Sequence, residues 1–113
     1  MLDEDRVYEL LADLQSAHQE VIKAAERLEM INQDYRRLEA RTLYFHEFEG
    51  KNAQQREWEA ETVRNDNTGL VEILDARFRA DIDLARAKAD LDIVRESISL
   101  WRALAYQEGG GRA

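Results

Sequence analysis

No cysteine and no proline occur anywhere in this chain of 113 residues, and its five glycines are confined to positions 50, 69 and 109–111. Without cysteine there is no disulfide framework and no thiolate metal site. Without proline, and with so few glycines, residues 2–49 and 70–108 contain no helix breaker at all. Long apolar runs are also missing, and nothing approaches the roughly 18 residues a membrane span needs. The acidic start, with Asp3, Glu4 and Asp5, does not read as a signal peptide. A cytoplasmic protein that does not enter a membrane is the expectation. Only two histidines are present, which limits both metal binding and acid–base chemistry.

Charge and helix formers are what the chain has in quantity. Charged residues make up 35% and apolar ones 44%, with a net charge of −8. Such a composition points to long helices or a coiled coil. The acids concentrate at the front: residues 1–20 carry a net −5 and residues 21–40 are neutral. An acidic chain is a poor general nucleic-acid binder, because Lys and Arg supply that affinity by neutralising phosphate. It suits a basic protein surface better.

Hydrophobic spacing gives the architecture. One set, Val7, Leu14, Val21, Leu28, Tyr35 and Thr42, recurs every seven residues, and so does a second, Leu10, Ala17, Ala24, Ile31, Leu38 and Phe45. This is a coiled-coil seam. The pattern returns in Leu70, Arg77, Leu84, Leu91, Ile98 and Ala105 with Ile73, Ala80, Ala87, Val94 and Trp101, where Arg77 is the one exception. Between the seams, Gly50 is suited to a left-handed helix end. Asn52 with Gln55 has the form of a capping box, and Asn65, Asp66, Asn67, Thr68 and Gly69 form a second break. The predicted fold is all-α. A long antiparallel helical hairpin carries a short third helix at its turn end, with helices over about 3–48, 53–64 and 70–107. Residues 1–108 form one domain and 109–113 a flexible tail. In an antiparallel pair, facing residue numbers have a constant sum. A sum of 115 sets large residues against small ones; 101 also matches the seams but brings Glu59 and Asp66 onto them. The expectation is 115.

Catalytic chemistry finds little footing. His18 has Leu14 and Ile22 one turn away, and neither can ligate a metal. His46 can share a face with Glu49 alone, too few ligands for a metal site. No Glu-x-x-His element is present, and no serine sits at a helical spacing from a histidine. The expectation is no enzyme, no catalytic residue, no metal and no cofactor. Two surfaces remain. A second stripe, Val71, Leu74, Phe78, Ile82, Ala85, Ala89 and Ile93, is not used by the hairpin seam and suits a partner or an oligomer interface. At the turn, Tyr35, Tyr44, Phe45, Phe48 and Trp58 lie near several basic residues. Arg41, Lys51, Arg56 and Trp58 are candidates for contacting single-stranded nucleic acid by stacking and phosphate pairing. The preferred reading is structural: these aromatics form a small core pinning the turn, with the arginines paired to nearby glutamates. A third reading, an acidic DNA mimic, is opposed by the bases mixed among the acids after residue 70.

The segment EGKNAQQRE at 49–57, with Gly50, Asn52 and Arg56 in a G-x-N-x-x-x-R turn and the break at 65–69, resembles a group of small helical proteins encoded by phages and prophages. The resemblance runs from about residue 49 to 106. It implies a phage-type accessory or adaptor protein in the host cytoplasm. The twin seams, the spare apolar stripe and the acidic charge add the expectation of protein–protein interaction, with itself and with a host or phage replication protein as partners. The resemblance implies no catalytic residue.

Overall fold

A computed structural model describes residues 4–110, with side chains through residue 108. The fold is an all-α helical hairpin. Helix α1 covers Glu4–Tyr44, α2 covers Ala53–Asp66 and α3 covers Thr68–Gly110; no strand is present among the described residues. The chain divides into two compact units, and α1 and α3 contribute to both. One unit joins the part of α1 up to Ala25 to the part of α3 from Asp83 onward. The other is Glu26–Ile82, which contains the chain reversal and α2.

The heptad positions behave as a seam. From Val7 to Thr42 every one of them is buried or half-buried, and so is every one on α3 from Leu70 to Ala105 except Arg77. Leu10 and Leu91 are the buried residues of the first unit; Ala60, Leu70 and Ala80 are those of the second. Phe45 departs from the expectation. It is 75% exposed, because α1 ends at Tyr44, four residues before the expected end. The last turn tightens there: the Phe45 N–H donates to Arg41 O, and the His46 N–H donates to Leu43 O three residues back.

Helix α2 starts where the capping pattern places it. The Asn52 side chain accepts from the Gln55 N–H at 2.8 Å, and the Gln55 side chain accepts from the Lys51 N–H at 2.8 Å. This answers two donors left open at a helix start. Its inward face is Ala60 with half-buried Val63, Arg64 and Asn67. Trp58, two residues from Ala60, points the other way and is 61% exposed. The second break is narrower than the sequence suggests. Only Asn67 separates α2 from α3, and Thr68 and Gly69 are already helical. Asn67 caps both helices. Its N–H donates to Arg64 O, its carbonyl accepts from Val71 N–H, and its side-chain oxygen accepts from Leu70 N–H at 3.0 Å.

Two glycine assignments are corrected. No described residue has positive φ, so Gly50 is not a left-handed cap. Its constraint is space: a Cβ there would sit 2.8 Å from the Arg56 nitrogen. Gly109 and Gly110 belong to α3, and residues 111–113 of the expected tail lie outside the described residues.

The register also differs. In the turn-proximal unit, Thr42 meets Asn67, the Arg77 guanidinium lies over the Tyr35 ring, and a Cβ at Gly69 would meet Leu38 Cδ2. The residue numbers of these pairs add to 109, 112 and 107. They cluster one heptad below 115 and one above 101, at a sum near 108 that matches the seams equally well. Apolar periodicity is blind to a seven-residue slip; the polar contact between Asn67 and Thr42 is not.

Leu70, fully buried at 0% exposure, sits on the first turn of α3 beside the Asn67 cap. Leu70→Ala is expected to destabilise the protein by about 2–5 kcal/mol through lost burial and a residual cavity. Urea unfolding followed by helical circular dichroism checks this.

Candidate functional site

Loop residues have backbone N–H groups with no helical partner, and the link between α1 and α2 answers two of them with one carboxylate. Glu59, on α2, reaches back across the loop. Its oxygens accept the Glu49 and Gly50 N–H groups at 3.1 Å and bond His46 Nε2 at 2.7 Å. His46 packs edge-on against Phe48, with ring centroids 4.8 Å apart. Both His46 and Glu59 are partly covered, with side chains 31% and 24% exposed. Desolvation works to raise the Glu59 pKa. The hydrogen bonds from His46, Glu49 and Gly50 outweigh it and hold the carboxyl below its ordinary value of 4.5.

A second polar group joins α1 to the break. Thr42, the only strongly polar residue in the first seam, donates its hydroxyl to Leu38 O at 2.7 Å and accepts from Asn67 Nδ2 at 3.3 Å. Arg64 bridges α2 to α1 through Glu39 at 3.1 Å and also reaches Glu57 at 3.4 Å. The turn is therefore held by polar contacts rather than by an aromatic core. Tyr44 and Phe45 stack edge-to-face on each other, yet both stay exposed, as does Trp58. Nothing in local sequence marks Glu59 as the acceptor, since its donors lie 9 to 13 residues earlier.

The candidate nucleic-acid residues are all exposed. Arg56 lines a depression of about 260 Å³ with Phe48, Ala60 and Arg64. Arg41 lines a different one, of about 580 Å³, with Asp34, Arg37 and Leu38. Lys51 and Trp58 line neither. Among the described residues, no group of three His, Asp or Glu side chains is arranged to hold a metal ion, and no helix is long and apolar enough to cross a membrane.

The candidate interface residues fall in both units. In the turn-proximal unit, Val71, Leu74 and Phe78 are 47%, 37% and 64% exposed, and Ile82 is half-buried. In the other unit Ala85 and Ile93 are exposed, and so are Leu100 and Leu104, which continue the helical spacing and were not singled out from sequence. Asp75 and Arg79 pair one turn apart beside Phe78. No protein-family model matches the chain, and neither the curated proteins nor the solved structures yield a match.

The depressed Glu59 pKa fixes the sign of a pH effect. Its ionised form contributes stability that is fully present above the unfolded value of 4.5 and is lost as pH falls through the lower folded value. Glu59→Gln is expected to lower the melting temperature at about pH 7, and the difference is expected to shrink as pH falls below 4.5 and through the lower folded value. Melting curves of both proteins across this range test the prediction; an undiminished gap at the acid end contradicts it.

Proposed function

We propose that this chain is a non-enzymatic helical interaction module that assembles with a second copy of itself through the outer face of α3. The observation that carries the reading is the exposure of Val71, Leu74 and Phe78 on successive turns of one face, well around the helix from the seam residues Leu70, Ile73 and Ala80. Apolar side chains spaced at three and four residues form a stripe that another helix can cover.

The charges beside that stripe favour self-pairing in the antiparallel sense. Asp75 and Arg79 stand on the same flank of the helix. When two such helices pair antiparallel, like flanks meet, so Asp75 of each copy comes opposite Arg79 of the other. An alignment within about one residue of this brings Leu74 toward Phe78 of the second copy and Val71 toward its Ile82. A two-fold arrangement of this kind is self-complementary and closed. Three turns of helix make a small interface, so association at about micromolar concentration is the expectation.

The resemblance at 49–106 supplies a setting, a phage-type accessory protein acting beside a replication protein in the host cytoplasm. Neither hollow gathers Arg41, Lys51, Arg56 and Trp58 together, which gives less support to a single-stranded nucleic-acid groove. Pairing of acids with bases along α3, Asp75 with Arg79 and Asp92 with Arg95, argues against a DNA mimic.

Phe78→Asp is expected to weaken self-association by about 100-fold or more, since it removes two apolar side chains per dimer and introduces buried charge. Helical content should stay unchanged, because Phe78 is 64% exposed in the single chain. Sedimentation or light scattering over a concentration series provides the readout, and a wild-type protein that stays monomeric at about 100 µM would defeat the proposal. The antiparallel sense has its own check. Asp75→Arg and Arg79→Asp should each weaken the dimer, and the double swap should restore it.

A further inference from the structure

Arg77 breaks the seam of α3, and the structure shows where it goes. Its guanidinium lies 5.9 Å from the centre of the Tyr35 ring, within the range of cation–π attraction. It borders a groove of about 350 Å³ lined by Leu28, Asn32, Tyr35, Arg36, Arg77 and Asp81. All six residues belong to the turn-proximal unit. Asn32 and Arg36, one turn apart on α1, share a helix face. Arginines 6, 64, 79 and 95 have carboxylate partners. Among the described residues, Arg36 and Arg77, like Arg27, Arg37, Arg41, Arg56, Arg86 and Arg102, have no carboxylate within 4.0 Å; what sets these two apart is that they border one groove from two different helices. Asp81 stands in the same groove, one turn after Arg77, and pairs with neither.

We propose that this groove binds the phosphate group of a small phosphorylated molecule. Two guanidiniums match the charge of a phosphate dianion, and their forked N–H donors match its oxygens. The Asn32 amide adds a further donor. The cation–π contact with Tyr35 places the Arg77 guanidinium at the groove without using its N–H donors. Asp81 sets the selectivity: it repels an anion without enough basic contacts, so a monocarboxylate meeting one guanidinium is disfavoured and a dianion meeting both is retained. The volume is sufficient for a small metabolite and too small for a folded partner. A charged residue at a seam position, where an apolar one would pack better, is the kind of local rule-breaking found at functional sites.

The test is a titration of the full chain with inorganic phosphate, at constant ionic strength, followed by two-dimensional NMR of backbone and arginine Nε–H groups. Saturable shifts are expected at Arg36, Arg77 and Asn32, with a dissociation constant of about 1 mM for the bare anion. Arg36→Gln and Arg77→Met should each weaken binding by about fivefold or more. Arg77→Met restores an apolar seam residue, so its melting temperature should not fall. Asp81→Asn should tighten binding. Three results would overturn the proposal: no saturable shift in the wild type, equal shifts with chloride or acetate, or phosphate binding retained in Arg77→Met. A lower melting temperature for Arg77→Met without phosphate binding by the wild type would make Arg77 a packing residue only.

Discussion

Every polar group of Asn67 is engaged, and the rest of the hairpin depends on that. Its N–H closes α2 on Arg64, its carbonyl and side-chain oxygen open α3 through Val71 and Leu70, and its side-chain nitrogen reaches Thr42 on α1. A single residue thus ends one helix, begins the next and fastens both to the first. The seams supply most of the apolar burial, but a heptad seam stabilises several alignments about equally. Asn67 and Thr42 give one of these alignments a hydrogen bond that the others would have to leave unmade, and an unmade bond at a half-buried site is costly.

This division of labour explains what could be read from the residues in advance. The helical class, the two seams and the start of α2 at the Asn52–Gln55 cap follow from local spacing, and the structure has them. The register does not follow, because the alignments summing to 101, 108 and 115 place the same seam positions together. Nor does the end of α1, where Phe45 keeps the heptad phase yet falls outside the helix. Gly50 looked like a dihedral requirement and is a matter of space beside Arg56. The aromatic cluster at the corner suggested a core, whereas the fold uses Ala60 and polar bonds there. Glu59 stayed hidden because its partners are assembled only when the loop closes.

The two surface readings differ in how they relate to the sequence. The stripe with Val71, Leu74 and Phe78 was legible, because helical spacing alone separates it from the seam, and exposure agrees. The Arg77 groove was visible only as an anomaly in the seam. Its meaning comes from Arg36, which belongs to the other arm and lies 41 positions earlier. Periodicity describes one helix at a time, while a polar groove is a property of two helices in a particular alignment. The proposed ligand site therefore depends on the register that Asn67 selects.

One consequence concerns how a chain of this design can change length. Seven residues removed from α1 and seven from α3 at matching heights would leave the facing pairs intact, and so would seven added to each. A change in one arm alone would force the seam to slip against the contact between Thr42 and Asn67. The segment from Thr42 to Leu70 has no such freedom, because the bonds of Glu59, Asn52 and Asn67 count residues individually. Relatives of this chain would then share an indivisible reversal of fixed length, flanked by arms that differ in whole heptads taken in pairs.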